Sequence, residues 1–268
     1  MEVVRRDPHS GEMVPIARSL PLTGISAGEL VELARRARKL KNTSQFLRLW
    51  QVERKEACTV FLGAGNLGSA FQVCKGKGSD GQTCKQCAVA KFGVSMTKQG
   101  VPKSNMWDGL TKDELRATEH VDKLMRKASP HFVGYRGGVS YKRPQETSIL
   151  FLEFIESVSI PGSRKRAGHL EAGIMYDVLA EDDVRDLMFQ TVYSLLALLP
   201  HARHNDIKLD NVGLMKWDGE PHSYDAMGRR FLLPPQKYMA KILDFGLLHG
   251  RTHAKLRNEG VEEDYGLD

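Results

Sequence analysis

Long apolar runs are missing from this chain of 268 residues. The longest, 149–155 and 195–199, are broken by charge or bounded by proline, and both fall short of the roughly 18 residues that a membrane-spanning helix needs. No membrane partner is therefore expected. The first seven residues carry four charges and no apolar core, which argues against a secretory signal there and gives an expected address inside the cell, in cytoplasm or nucleus. Cysteine is scarce as well: four residues are too few for a disulfide scaffold, and an intracellular address would keep them as thiols. Cys84 and Cys87 form one C-x2-C with Cys74 and Cys58 upstream, but a second such pair is lacking, so buried or surface thiols are expected and not a zinc knuckle. Aromatics reach only 7%, yet hydrophobic residues make up 41% and charged residues 27%, which excludes collagen-like and disordered chains. The charge excess is small, +6 from 39 basic and 33 acidic residues, and reads as a solvated basic surface with no nucleic-acid partner expected.

The pattern of residues divides the chain into an N-terminal extension, 1–50, and a domain, 51–268. Pro8, Pro15 and Pro21 punctuate the extension, and Ser26-x-x-Glu29 caps a helix over 26–41 whose Leu30, Leu33, Ala37 and Leu40 recur at helical spacing. From Ala57 the period shortens to β-type runs at 59–62, 70–74, 87–92 and 148–154, with Gly76, Gly78 and Gly81 supplying a turn. A helix is predicted over 111–128, capped by Thr111-x-x-Glu114. A second begins near Asp182 and Asp183, ends at Pro200, and shows an expected buried stripe of Val184, Leu187, Met188, Val192, Leu195, Leu196 and Leu199. A β-rich part, 51–153, thus precedes a helical part, 154–268.

Gly63-Ala64-Gly65-Asn66-Leu67-Gly68 fits G-x-G-x-x-G. Two unrelated folds use that pattern, but here 69–75 is β-like and leaves no room for the helix of a dinucleotide-binding unit. A strand–loop–strand results, whose backbone amides can close over a triphosphate. Lys91 ends the next strand, where its charge suits the α- and β-phosphates, and Glu119 on the following helix is expected to hold it by an ion pair. Glu114 competes for that role but is accounted for by the capping box. Further on, His204-Asn205-Asp206-Ile207-Lys208-Leu209-Asp210-Asn211 fixes four polar residues at offsets that chance gives roughly once in a thousand chains of this length. Lys241-Ile242-Leu243-Asp244-Phe245-Gly246 then forms an apolar strand ending in Asp-Phe-Gly.

In this order, the glycine loop, strand lysine, helix glutamate, catalytic-type loop and Asp-Phe-Gly resemble a eukaryotic-type protein kinase, over about two-thirds of the chain. The resemblance implies an α+β, two-lobed fold with a β-rich N-lobe at 51–153 and a helical, shortened C-lobe at 154–268. It implies ATP and Mg²⁺ as cofactors, with ATP met by Leu62, Gly63, Ala64, Gly65, Asn66, Leu67, Gly68, Ala70 and Lys91. Leu152 resembles the gatekeeper, and Glu153 and Ile155 bound the hinge that meets adenine. By the same resemblance Asp206 accepts or orients the substrate hydroxyl proton, Lys208 steadies the γ-phosphoryl, and Asn211 and Asp244 hold Mg²⁺. Lysine two places after the aspartate is the Ser/Thr pattern, so the implied partner is a protein substrate with Ser or Thr hydroxyls.

The chain also departs from that family. Asn205 stands where many kinases have an arginine that pairs with a phosphorylated activation loop. Asp244 follows Asn211 by 33 positions, which reads as an inserted loop, and 22 residues follow Gly246, too few for the helices that normally core a C-lobe. The stripe on the 182–199 helix would then need another cover, either the 26–41 helix or a partner or second copy meeting an exposed C-lobe core. A pseudokinase serving as a nucleotide- or protein-binding module, and a small-molecule phosphotransferase, are the alternative readings; Lys208 counts against the latter.

Overall fold

The computed structural model describes residues 3–6, 13–15, 58–65, 68–74, 87–93, 112–125, 128–141, 147–162, 166–217, 222–226 and 228–250. In chain order the strands are β1 (Val3–Arg6), β2 (Met13–Pro15), β3 (Cys58–Gly65), β4 (Gly68–Cys74) and β5 (Cys87–Phe92). After helix α1 (Lys112–Met125) come β6 (Tyr135–Tyr141), β7 (Thr147–Glu153), β8 (Val158–Ser159), β9 (Arg166–Ala167), and helices α2 (Leu170–Met175) and α3 (Glu181–Leu198). The remainder is β10 (Ala202–Arg203), a 3₁₀ turn at Leu209–Asn211, β11 (Val212–Lys216), β12 (His222–Ala226), β13 (Arg229–Leu233), β14 (Tyr238–Ile242) and β15 (His249–Gly250). The class is α+β with antiparallel pairing throughout.

Two compact units emerge, Ala17–Arg126 with Phe132–Glu156, and Met1–Ile16 with Lys127–His131 and Ser157–Asp268. The first holds a five-stranded sheet in the order β3-β4-β5-β7-β6. Its strands obey the period of two: Phe71 and Val73 on β4 and Ala88, Ala90 and Phe92 on β5 are buried, while Gln72, Val89 and Lys91 occupy the other face. Edge-to-face ring contacts Phe61–Phe71 at 5.3 Å and Phe71–Phe92 at 5.7 Å tie three strands together. Helix α1 packs on β6 and β7 through Leu115, Val121 and Met125. Gly138 permits that approach, because a Cβ there would stand 2.4 Å from Leu115 Cδ1 and 3.0 Å from Ile149 O. Two adjacent glycines, Gly137 and Gly138, hid β6 from the sequence reading, since glycine lowers strand propensity.

Cys74 and Cys87 face each other across β4 and β5 and form a disulfide, which corrects the expectation of thiols. Strand register, which the sequence does not display, brings the two together.

In the second unit a core of Val158, Ile160, Leu170, Leu179, Leu187, Val212, Leu214 and Ala240 joins α2 and α3 to the β11–β14 pair. The buried face of α3 differs from the expected stripe. Leu187, Gln190, Thr191, Tyr193, Ser194 and Leu198 are buried, whereas Met188, Val192, Leu196 and Leu199 are exposed. Polar residues can occupy the inner face because each is satisfied: Thr191 and Ser194 hydroxyls donate to the Leu187 and Gln190 carbonyls one turn back. The Gln190 amide accepts from Ala240 N at 2.7 Å and donates to Gln236 at 2.8 Å, fastening α3 to β14.

The segment expected as an inserted loop forms regular structure: β12 and β13 pair as a hairpin, and β1 and β2 extend it to a four-stranded sheet, β13-β12-β1-β2. Part of the presumed N-terminal extension is therefore strand, paired with residues more than 200 positions later. The helix expected over 26–41 lies outside the described residues. His131, fully buried, anchors this region: its ring stacks on Tyr224 at 5.7 Å, Nδ1 donates to Ala240 O at 3.1 Å, and Nε2 accepts from the Tyr224 hydroxyl at 3.1 Å. Burial, with smaller contributions from Lys241 and His222, pulls its pKa down to about 3, so the ring is neutral. Among the described residues no helix is long and apolar enough to cross a membrane.

Candidate functional site

The residues singled out in the sequence fall in both units. In the first, β5 carries Lys91 on the face shared with Val89, and its amine lies 2.6 Å from Glu114 Oε1. This corrects the expected partner. Glu119 instead pairs with Lys123 one turn on, at 2.7 Å and largely in solvent. Five residues of helix rotate a side chain by about 140°, so Glu114 and Glu119 cannot both face the sheet. Glu114 lies on the face of Val121 and Met125, which are buried; Glu119 lies with Arg116 and Lys123 on the charged one. That pattern was readable in the sequence and is a better guide than the capping box. Thr111, the proposed cap, lies outside the described residues, and the Glu114 carboxylate meets Lys91.

The glycine-rich segment is the β3–β4 hairpin, with Gly63 opposite Ala70 and Gly65 opposite Gly68 after an irregularity between Phe61 and Gly63. Gly68 has a packing reason to be glycine, since a Cβ would lie 2.2 Å from Phe92 O, whereas Gly63 faces open space. Leu62 is exposed. Asn66 and Leu67 lie outside the described residues. Leu152 stands opposite Val89 near the end of β7, followed by Glu153, whose N–H donates to Gly134 O at 2.8 Å and whose carboxylate accepts from Gly134 N at 3.0 Å. Ile155 follows in half-buried irregular chain.

In the second unit, the antiparallel pair β11–β14 brings the His204–Asn211 loop beside Asp244-Phe245-Gly246. Val212 stands opposite Ile242, and Leu243 N donates to Asn211 O at 2.9 Å. The Asn211 amide donates to both Asp206 O (2.9 Å) and Asp206 Oδ2 (3.0 Å), which fixes the carboxylate. The Lys208 amine lies 4.0 Å from Asp206 Oδ2 and 3.6 Å from Asp210 Oδ2. Buried His204 ties the two segments together: Nε2 donates to Leu243 O at 2.8 Å, Nδ1 accepts from Asp206 N at 3.4 Å, and its ring meets buried Phe245 edge-on at 5.3 Å. Burial is the largest influence on His204 and lowers its pKa, so it serves as a neutral spacer with one donor and one acceptor.

Asn205 (φ 59°) and Asp244 (φ 56°) both adopt the left-handed conformation, which is unfavourable for most side chains and concentrates at functional sites. Sequence reasoning gave no role to His204, Phe245 or this backbone geometry. Asn211 and Asp244 offer an amide oxygen and a carboxylate, donors of the hard oxygen type that suits Mg²⁺. With its N–H group spent on Asp206, the Asn211 carbonyl oxygen is turned away from that residue. No group of three or more His, Cys, Asp or Glu among the described residues is arranged to hold a metal ion. The chain matches no protein-family model and no curated protein.

Proposed function

We propose that the protein is an ATP-dependent protein kinase that transfers the γ-phosphoryl group to Ser or Thr hydroxyls of a protein substrate. The observation that carries this reading is the Asp206 carboxylate clamped by Asn211, in a loop hydrogen-bonded to Leu243, the residue before the left-handed Asp244. Phosphoryl transfer asks for alignment and charge neutralisation more than for covalent help; the Asn211 clamp on Asp206 serves the first, and lysines serve the second. Asp206 accepts the proton of the attacking hydroxyl, which its fixed orientation favours. Lys208, within 4.0 Å of that carboxylate, puts positive charge beside the transferring group. Lys91, steadied by Glu114, meets the α- and β-phosphates, and the amides of the β3–β4 hairpin cover them. The end of β7 and residues 153–155 meet adenine. Mg²⁺, when bound by Asn211 and Asp244, would supply neutralisation of phosphate charge. A site of action where ATP is abundant, inside the cell, goes with this reading.

The test is transfer of radiolabelled γ-phosphate from ATP to a panel of generic protein substrates, with Asp206→Asn beside the parent chain. Label on Ser or Thr that depends on Asp206 supports the proposal. Transfer that survives Asp206→Asn, or a folded chain that neither binds Mg²⁺·ATP nor transfers label, overturns it.

A further inference from the structure

Four large apolar side chains on one helix of the second unit face water. Met188, Val192, Leu196 and Leu199 lie on the side of α3 away from its buried residues and are 38% to 52% exposed, and Leu195 among them is half-buried. A lone apolar residue on a surface needs no reason, but these recur at helical spacing and form one stripe three turns long, about 16 Å. Met188, Val192, Leu195 and Leu199 follow one another at intervals of 4, 3 and 4, the spacing of the apolar seam along which two helices pack. The two ends of the stripe differ in charge. Around the N-terminal end stand Glu181, Asp182, Asp183 and Asp186, with one cation, Arg185, whose guanidinium pairs with Asp182 at 2.8 Å. Past the C-terminal end come His201 and Arg203, both exposed, and no acid before Asp206.

We propose that this face is where two copies of the chain meet, α3 lying antiparallel to α3 across a two-fold axis. The 4-3-4 spacing reads the same from either end, so an antiparallel pair sets Met188 level with the partner's Leu199 and Val192 level with the partner's Leu195. Every apolar residue of the seam then meets another, and Leu196 widens the buried strip. The same arrangement lays the acidic end of each helix beside the basic end of the other, twice over, whereas a parallel pair would bring the two acidic ends together. That complementarity of the face with itself selects a second copy as the occupant, and antiparallel over parallel. Because the interface is isologous, each contact and each substitution in it counts twice. None of these residues belongs to the proposed phosphotransfer site, so the dimer does not depend on the kinase reading.

The experiment is sedimentation equilibrium of the full chain over a series of concentrations, with variants at exposed positions that leave the buried face of α3 intact. A monomer–dimer equilibrium is expected. Val192→Glu and Leu196→Glu should each raise its dissociation constant about 30-fold or more, with circular dichroism unchanged. Arg203→Glu should weaken the dimer about 5- to 10-fold at low salt and less at high salt, and adding Glu181→Arg to it should restore most of the affinity, since the two charges are then exchanged across the interface. A chain that stays monomeric at about 100 µM overturns the proposal, and the stripe is then covered from within the chain or by a different protein. A dimer that Val192→Glu and Leu196→Glu leave intact overturns it as well, by placing the contact elsewhere. A dimer that these two variants break, but that shows neither the loss with Arg203→Glu nor the rescue by the exchange, overturns the antiparallel arrangement.

Discussion

Cutting the Lys91–Glu114 ion pair tests how α1 is held to its sheet. The amine and carboxylate are 2.6 Å apart, with side chains 18% and 5% exposed. Removing one member of a fully buried pair costs about 3–5 kcal/mol because the other charge is stranded. Lys91 retains some access to water, so the coupling expected from a double-mutant cycle is smaller, about 1.5–3 kcal/mol, in the range of hydrogen bonds to charged groups. For the solvent-exposed Glu119–Lys123 pair the same cycle should give only about 0.3–0.5 kcal/mol. Urea unfolding of Lys91→Met, Glu114→Gln and the double variant measures the first cycle, and Glu119→Gln with Lys123→Met the second. Phosphotransfer adds a separate reading: Lys91→Met and Glu114→Gln should each depress turnover strongly, and Glu119→Gln should leave it nearly unchanged. A Lys91–Glu114 coupling below about 0.5 kcal/mol, or equal couplings for the two pairs, would refute the assignment of Glu114 as the partner.

Mg²⁺·ATP at 100 times its Kd should stabilise the chain by about 2.7 kcal/mol, seen as a rise in Tm, and Asp244→Ala should remove the Mg²⁺-dependent part; an unaltered shift contradicts the metal assignment. His131 has a folded-state pKa near 3 against an ordinary value of 6.5, so the unfolded chain alone takes up a proton between these values and stability falls as pH drops through that window. The slope attributable to this residue is at most about 1.4 kcal/mol per pH unit, and His131→Leu should flatten the urea-midpoint profile below pH 6.5 by that amount. Gly138→Ala should cost about 1–3 kcal/mol by pushing Leu115 away from β6; a neutral effect in urea melts would show that α1 can shift freely.

Residues fixed by short-range chemistry were readable in the sequence, and those fixed by distant pairing were not. The alternation of β4 and β5 announced both strands, β5 at both ends and β4 with its start two residues late, and the spacing of Asp206, Lys208 and Asn211 marked a loop that does form one hydrogen-bonded cluster. The choice between Glu114 and Glu119 was also readable, in the apolar face that Glu114 shares with Val121 and Met125, but the local capping pattern pointed to the wrong one. On α3 the apolar residues cover more of the circumference than the core uses, and Gln190 displaces them because Ala240 N on β14 needs an acceptor. Cys74 and Cys87 are 13 positions apart, and only the register of β4 against β5 makes them neighbours. Strands β1 and β2 are four and three residues long and carry no periodic signal, so nothing in the sequence tied them to β12.

That last pairing has a consequence for how the protein is made. Val4 lies opposite Ser223, so β1 waits on the ribosome for a partner synthesised about 220 residues later. At translation rates of about 5–20 residues per second the delay is on the order of 10–40 s, far longer than a hairpin needs to form. During that interval Val3–Arg6 and Met13–Pro15 can pair only with each other, and an isolated two-stranded hairpin is marginal in water. On the side away from β13, the β12 edge is in turn covered by β1. A chain in which Val3–Arg6 cannot pair would finish synthesis with that edge uncapped, so its yield in cells should fall through strand-to-strand aggregation before any change in the chemistry of Asp206 is felt.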